Sequence, residues 1–307
     1  MIETEKRTLT LLTQHEFLTR NHIEAALYFQ VGISPNEISS ALENLREEQK
    51  VHRTEVGPSG SSGSGTHIYS LKPLSQESLE CCSRLVEDKH KLFEVYRLRL
   101  AAECYVRALL IRSGRYREIP RRFRLGEIAI GSSGRRADLF ASDVAGRRVL
   151  FEVKNQREVF YPTSNIFGTL LLKAIESNAD VPALVLAHAS NEVEEYCRLW
   201  GIALLHLGRQ ILPNEFRKKI IGLRRFLGPQ PFEFVNPCRP FQHGLSEATQ
   251  RDLRIISDEQ WLEEARQRWK RNRNLAWKFA YVLSETPSAV VSRVSSELGD
   301  TDERLAA

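Results

Sequence analysis

Residues 137–154 read ADLFASDVAGRRVLFEVK, two strand-like runs joined by a loop that leaves little freedom in how they pair. The runs are Ala137–Ala141 and Arg148–Lys154. Between them, Val144-Ala145-Gly146 fits a three-residue hairpin loop, with glycine where the backbone must turn left-handed. That loop sets Asp143 opposite Arg147, and counting back along the ladder sets Asp138 opposite Glu152. Opposite residues of an antiparallel pair share a face, as do residues two apart on one strand. Asp138, Glu152 and Lys154 are therefore expected together on one face of a sheet.

Such a trio is costly to place beside an apolar core without a function. Two adjacent carboxylates repel unless a cation lies between them, and hard oxygen ligands suit Mg2+ or Mn2+. A divalent ion can polarise a phosphoryl oxygen and lower the pKa of a water molecule. Lys154 can orient that water or meet charge developing on a phosphate. The alternative is an ordinary cluster of surface charges, and the apolar strand context speaks against it.

This stretch resembles the PD-(D/E)xK nuclease superfamily, the fold of restriction endonucleases and archaeal Holliday-junction resolvases. Ala137-Asp138 and Glu152-Val153-Lys154 carry the resemblance, with alanine where the motif's name has proline. It covers residues 88–213 and implies an α/β fold, a restriction endonuclease-like mixed sheet flanked by helices. The matching order is a helix at Lys89–Ser113, a meander of Leu125–Ile130 and the two runs above, and a helix at Ser164–Ser177. Strands at Val181–His188 and Ile202–Leu207 follow, separated by a short helix at Glu192–Trp200. The resemblance implies Asp138, Glu152 and Lys154 as catalytic residues. It implies a metal held by Asp138, Glu152, the Val153 carbonyl and Glu103 of the first helix. A salt bridge from Glu103 to Arg99 or Arg107 is the other reading of that acid. Gln156, two residues beyond Lys154, and Ser133, Arg135 and Arg136 of the preceding glycine-rich loop are the expected substrate contacts. Tyr161 and Asn165 are weaker candidates, and His188 and His206 read as histidines at the edge of the core.

The first 73 residues suggest a separate domain. Leu9, Leu12 and Phe17 mark a first helix within Glu5–Phe17, and Asn21–Tyr28 is a second. Ser34-Pro35-Asn36-Glu37 opens a third with an N-cap, a proline in the first turn and a capping-box glutamate. Ile38, Leu42 and Leu45 form its apolar stripe. Strand-like runs Lys50–Glu55 and Thr66–Leu71 flank Gly57–Gly65, a Gly/Ser tract suited to a long hairpin tip. Three helices and a hairpin resemble a winged helix. That implies DNA contact through the third helix, although Glu43, Glu47 and Glu48 there oppose a phosphate backbone.

Residues 74–213 then form the nuclease-like domain with its leading helix, and residues 214–307 a helical, basic C-terminal region. In the latter, Arg217–Leu227 is helical and Gly228–Phe241 an irregular connector. A helix starts at Ser257, and RQRWKRNR spans Arg266–Arg273. Trp261 and Trp269 can be core or can stack on bases. The 307-residue chain carries a net charge of +5, too mild to imply nucleic acid by itself. Its five cysteines form no CxxC pair, and no apolar run reaches the length of a membrane span. The default is a cytoplasmic protein with no membrane segment.

The expected activity is a metal-dependent endonuclease acting on DNA, in restriction and defence or in mobile-element DNA processing. The alternative is a non-catalytic winged-helix regulator, or a subunit of a larger nucleoprotein complex with a protein partner. A homodimer is implied by the resemblance.

Overall fold

The computed structural model describes residues 1–56, 66–93, 96–117, 123–124, 136–155, 165–222, 232–237, 239–241 and 244–285. The chain divides into two compact units, Met1–Leu98 with Leu212–Phe234, and Arg99–Ile211 with the residues from Val235 onward.

The first unit opens with α1 (Glu3–Thr13), β1 (Leu18–Thr19), α2 (Arg20–Val31), α3 (Pro35–Glu47), β2 (His52–Val56) and β3 (Thr66–Ser70). The three strands form one sheet in the order β1-β3-β2. Ser34 caps α3 as its sequence predicts: the Glu37 N–H donates to Ser34 Oγ, and the Ser34 N–H donates to the Glu37 carboxylate at 2.9 Å. Leu12, Leu18, Ile23, Ile38, Leu42 and Leu45 meet in the core, so the stripe on α3 faces inward. Strand β1 is absent from the sequence reading because two residues carry no periodicity. Thr19 has a second task, accepting the His22 N–H as the cap of α2. Helix α4 (Gln76–Phe93) follows, and its Cys82 and Val86 pack with Val56 and Ile68 of the hairpin. The expected hairpin tip, 57–65, lies outside the described residues.

The second unit takes up α5 (Tyr96–Arg112), β4 (Tyr116–Arg117), β5 (Phe123–Arg124), β6 (Arg136–Ala137), β7 (Leu139–Asp143), β8 (Arg148–Lys154), α6 (Asn165–Glu176), β9 (Val181–Leu186), α7 (Asn191–Trp200) and β10 (Ala203–His206). Five of these strands form a mixed sheet in the order β10-β9-β8-β7-β4. Strands β8, β9 and β10 run parallel, joined by α6 and α7, while β7 and β4 are antiparallel additions. The fold is thus mixed α/β. The strand beside β7 is β4, just after Arg115, whereas the expected first strand Leu125–Ile130 lies outside the described residues. Arg115 there is tied to Asp143 and Glu259.

Alternation along the strands divides the core in two. Leu150, Leu184 and Leu186 face α6 and α7, meeting Phe167, Leu170, Leu171, Val193 and Trp200. Val149, Phe151, Ala183 and Val185 face the other way, toward Ala102, Tyr105, Val106 and Leu109 of α5.

Beyond β10, β11 (Gln210–Pro213) pairs with β12 (Phe232–Val235) around α8 (Arg217–Gly222). Then α9 (Glu247–Ser257) and the long α10 (Glu259–Glu285) return to the second unit. The residues from Val235 to Glu285 belong to the sheet's own unit and not to a separate C-terminal region. Strand β12 lies inside the proline-bounded segment read as a connector. Helix α9 escapes notice because its buried residues are Thr249, Asp252 and Ile256, two of them polar. Trp269 is core, its indole N–H donating to the Ala179 carbonyl at 3.1 Å, and Trp261 donates to the Leu204 carbonyl. Arg273 reaches the Ile175 carbonyl and Asn178, while Arg266 and Arg268 pair with Glu263 and Glu264. Much of the basic run is therefore spent within the unit. Among the described residues, no helix is long and apolar enough to cross a membrane.

Candidate active site

The β7–β8 hairpin adopts the register its loop length predicts. Leu139 faces Phe151, Ala141 faces Val149, and the Asp143 N–H donates to the Arg147 carbonyl at 2.9 Å. Gly146 closes the turn with φ +78°, its N–H donating to the Asp143 carbonyl. Asp143 is a structural acid. Its carboxylate accepts the N–H groups of Ala145 and Arg147 and pairs with the Arg147 guanidinium at 2.7 Å.

One step beyond Leu139 and Phe151, the ladder sets Asp138 opposite Glu152. In an antiparallel pair, bonded and non-bonded positions alternate, and Asp143–Arg147 is a bonded one. Five steps along, the continued register gives Asp138 and Glu152 a non-bonded position, and the Glu152 charge acts on the Asp138 carboxyl. Strand β7 ends there. Asp138 sits at a bend between β6 and β7, and its Oδ2 accepts the Val153 N–H at 2.7 Å. A carboxylate thus takes the place of a backbone acceptor just where the strands separate. One residue's N–H and C=O point to the same side in such a ladder, so the Val153 carbonyl lies on the Asp138 side of β8.

Glu152 shares its face with Leu150, the side covered by α6. Both of its oxygens are engaged by lysines. Lys154 Nζ donates to Oε1 at 2.6 Å, and Lys173 Nζ donates to Oε2 at 2.7 Å. The side chains of Glu152 and Lys173 are 5% and 8% exposed, and that of Lys154 is 23% exposed. Burial, and next the Glu152 charge, push the Asp138 carboxyl above its ordinary value, against the opposing pull of Lys154, the Val153 N–H and Lys173. Protonation of Asp138 is one way to relieve two crowded carboxylates, and a cation between them is another.

Lys173 is the site residue that the sequence reading misses. Its signal is present in NIFGTLLLKAIE, a helix with a lone cation among apolar residues. A buried ammonium requires a carboxylate, and β8 supplies one.

The other expected contributors are placed differently. Glu103 lies half-buried on α5, which covers the opposite face of the sheet from Glu152, and it is not among the charges acting most strongly on Asp138. The structure therefore does not bring Glu103 to that face. Gln156, Ser133, Arg135 and Tyr161 lie outside the described residues, and so do the side chains of Arg136 and Asn165, whose backbones belong to β6 and α6. Asn155, between Lys154 and Gln156, is structural: its side chain donates to the Ile211 carbonyl and accepts the Ile211 N–H. His188 is buried and His206 half-buried near the ends of β9 and β10, with His206 within 3.7 Å of Glu194.

Among the described residues, no group of three or more His, Cys, Asp and Glu gathers closely enough to hold a metal ion. Mg2+ does not need such a cage. It binds through one or two carboxylates, keeping waters and substrate phosphate oxygens for the rest. Asp138, Glu152 and the Val153 carbonyl fit that pattern, and the two lysines on Glu152 show that this carboxylate already draws cations. No protein-family model, curated protein or solved structure matches this chain.

Proposed function

We propose that this chain is a divalent-metal-dependent endonuclease of the PD-(D/E)xK kind that hydrolyses DNA phosphodiesters. The observation that carries this reading is Asp138 facing Glu152 at the point where β7 and β8 part, with two lysines on the Glu152 carboxylate. Element order supports it: α5, the antiparallel run β4-β7-β8, α6, and β9 parallel to β8 follow the order expected of a restriction endonuclease-like core. The order α1, β1, α2, α3, β2, β3 supports a winged helix in the first unit, a module suited to delivering the nuclease to its substrate.

A bound Mg2+ or Mn2+ would supply positive charge to the scissile phosphoryl oxygen and lower the pKa of the attacking water. The chain's own residues do the rest. Asp138 is held by the Val153 N–H, so its free oxygen has a fixed direction. Lys154, the more exposed of the two lysines, can turn its ammonium from Glu152 to a phosphate oxygen and meet charge that develops there. Gln156, Ser133, Arg135 and Arg136 are proposed to hold the strand being cut. A homodimer would cut both strands of a duplex, in defence against foreign DNA or in mobile-element processing.

The test is supercoiled plasmid incubated with Mg2+, Mn2+ or EDTA, beside an Asp138→Ala variant. Metal-dependent nicking or linearisation that the variant loses by at least about a hundredfold is the expected result. Equal cutting by the variant would remove Asp138 from the mechanism. A second reading, in which the first unit binds protein and not DNA, is favoured by one observation. The exposed side of α3 carries Glu37 and Glu47, and its Arg46, like Arg53 of β2, is paired with Glu43. If the inactive variant fails to retard DNA on a gel, that reading gains.

A further inference from the structure

We propose that Lys173 is a positioning residue that holds Glu152 by Oε2 and leaves only Oε1 for a divalent ion, so that the site takes a single ion. This inference rests on the nuclease reading of the same site. Its starting point is an asymmetry between two lysines on one carboxylate. Lys173 is a buried residue of α6, flanked by Leu170, Leu171, Leu172 and Ala174 of the core. Breaking its 2.7 Å pair with Oε2 would strand a buried ammonium and a buried carboxylate oxygen together. Lys154 is more exposed and sits at the last residue of β8, so its ammonium can leave Oε1 at far lower cost.

Two consequences follow. A carboxylate with one oxygen committed can neither chelate an ion through both oxygens nor hold two ions with one on each oxygen. Charge leads to the same limit. With Lys154 turned to the substrate, Asp138, Glu152 and Lys173 together carry one net negative charge. One divalent ion reverses it to one positive charge, and with Lys154 set against the phosphodiester the loaded site keeps that single positive charge. A second ion would leave a large positive excess in a partly buried site. Lys173 thus takes the place that another cation would fill, and orients the carboxylate while doing so.

The experiment is calorimetric titration of Mn2+ into the full chain, its Asp138→Ala variant, Lys173→Met and Lys173→Arg, each checked for folding by thermal melting. The wild type should bind one Asp138-dependent ion. Lys173→Met, with a repelling charge removed, should bind Mn2+ at least about tenfold more tightly. Lys173→Arg keeps the charge on Oε2 and should restore the wild-type affinity, which a merely structural role for Lys173 would not produce. Two Asp138-dependent ions in the wild type, or unchanged or weaker binding by folded Lys173→Met, would overturn the inference alone. Should Lys173→Met not fold, the stoichiometry of the wild type and the affinity of Lys173→Arg still decide it. Binding that is absent from the wild type, or indifferent to Asp138→Ala, would overturn the nuclease reading with it.

Discussion

His188 sits 1% exposed just beyond β9, and burial pushes its imidazole down to about 3 from an ordinary 6.5, with His206 adding to the effect. The folded chain therefore keeps His188 neutral where the unfolded chain protonates it. Above pH 6.5 the stability linked to this group is fully present. Between 6.5 and about 3, unfolding takes up a proton and stability falls with pH. One such group contributes a slope of up to about 1.4 kcal/mol per pH unit. His206 is shifted in the same direction, by burial first, and adds to the slope. His188→Gln, which cannot titrate, should flatten the stability profile between pH 6 and 4, by up to about one proton. Urea denaturation at a series of pH values measures it, and an unchanged slope would show that His188 does not carry the effect. The acids at the candidate site are of another kind. Asp138 and Glu152 are matched by Lys154 and Lys173, so that site balances its charge by pairing, while His188 avoids charge altogether.

At the scale of elements, the most legible feature is the β7–β8 hairpin. A loop of fixed length and a glycine at 146 determine its register, and register alone brings Asp138 to Glu152. What stays hidden depends on partners distant in sequence. Lys173 is intelligible only once α6 lies over β8, and α9 only once Asp252 meets Arg209 and Tyr105 in a buried network. The place of Glu103 is hidden for the same reason: its spacing on α5 gives no sign of which face of the sheet that helix covers. Gly201 shows how tightly such elements meet. It ends α7 with φ +70°, and a Cβ there would lie 2.1 Å from the Trp269 nitrogen and 2.6 Å from the Ala265 oxygen. Both atoms are backbone of α10, which cannot move aside as a side chain can. Gly201→Ala should therefore combine left-handed strain with a steric clash and cost at least about 2 kcal/mol of stability. Chemical denaturation reads this directly. A loss indistinguishable from zero would mean that α10 does not press on the turn after α7.

Across the whole molecule, the sheet unit is closed by residues far along the chain. Ile256, Leu262 and Ala265 complete the core on the α5 side, while Trp269 and Ala276 complete the one beneath α6 and α7. Polar ties reinforce both: Arg147 of the hairpin pairs with Glu263 at 2.7 Å, and Asp252 accepts from Arg209 at 2.8 Å and from Tyr105 at 2.9 Å. A chain ended at Phe234 would keep every strand of the five-stranded sheet, Asp138, Glu152 and both lysines. It would lose helices on both faces. Removing a buried tryptophan side chain alone costs about 3–5 kcal/mol, against a total stability of about 5–15 kcal/mol for a typical domain. With Val235, six buried apolar residues and a buried aspartate are lost among the described residues, which exceeds what such a unit can lose. The truncated chain should therefore show no cooperative melting transition for the sheet unit and no Asp138-dependent Mn2+ binding, although every proposed site residue is present. A fragment that melts cooperatively and binds Mn2+ would show instead that α9 and α10 are accessory to the nuclease-like core, and that its boundary falls before Val235.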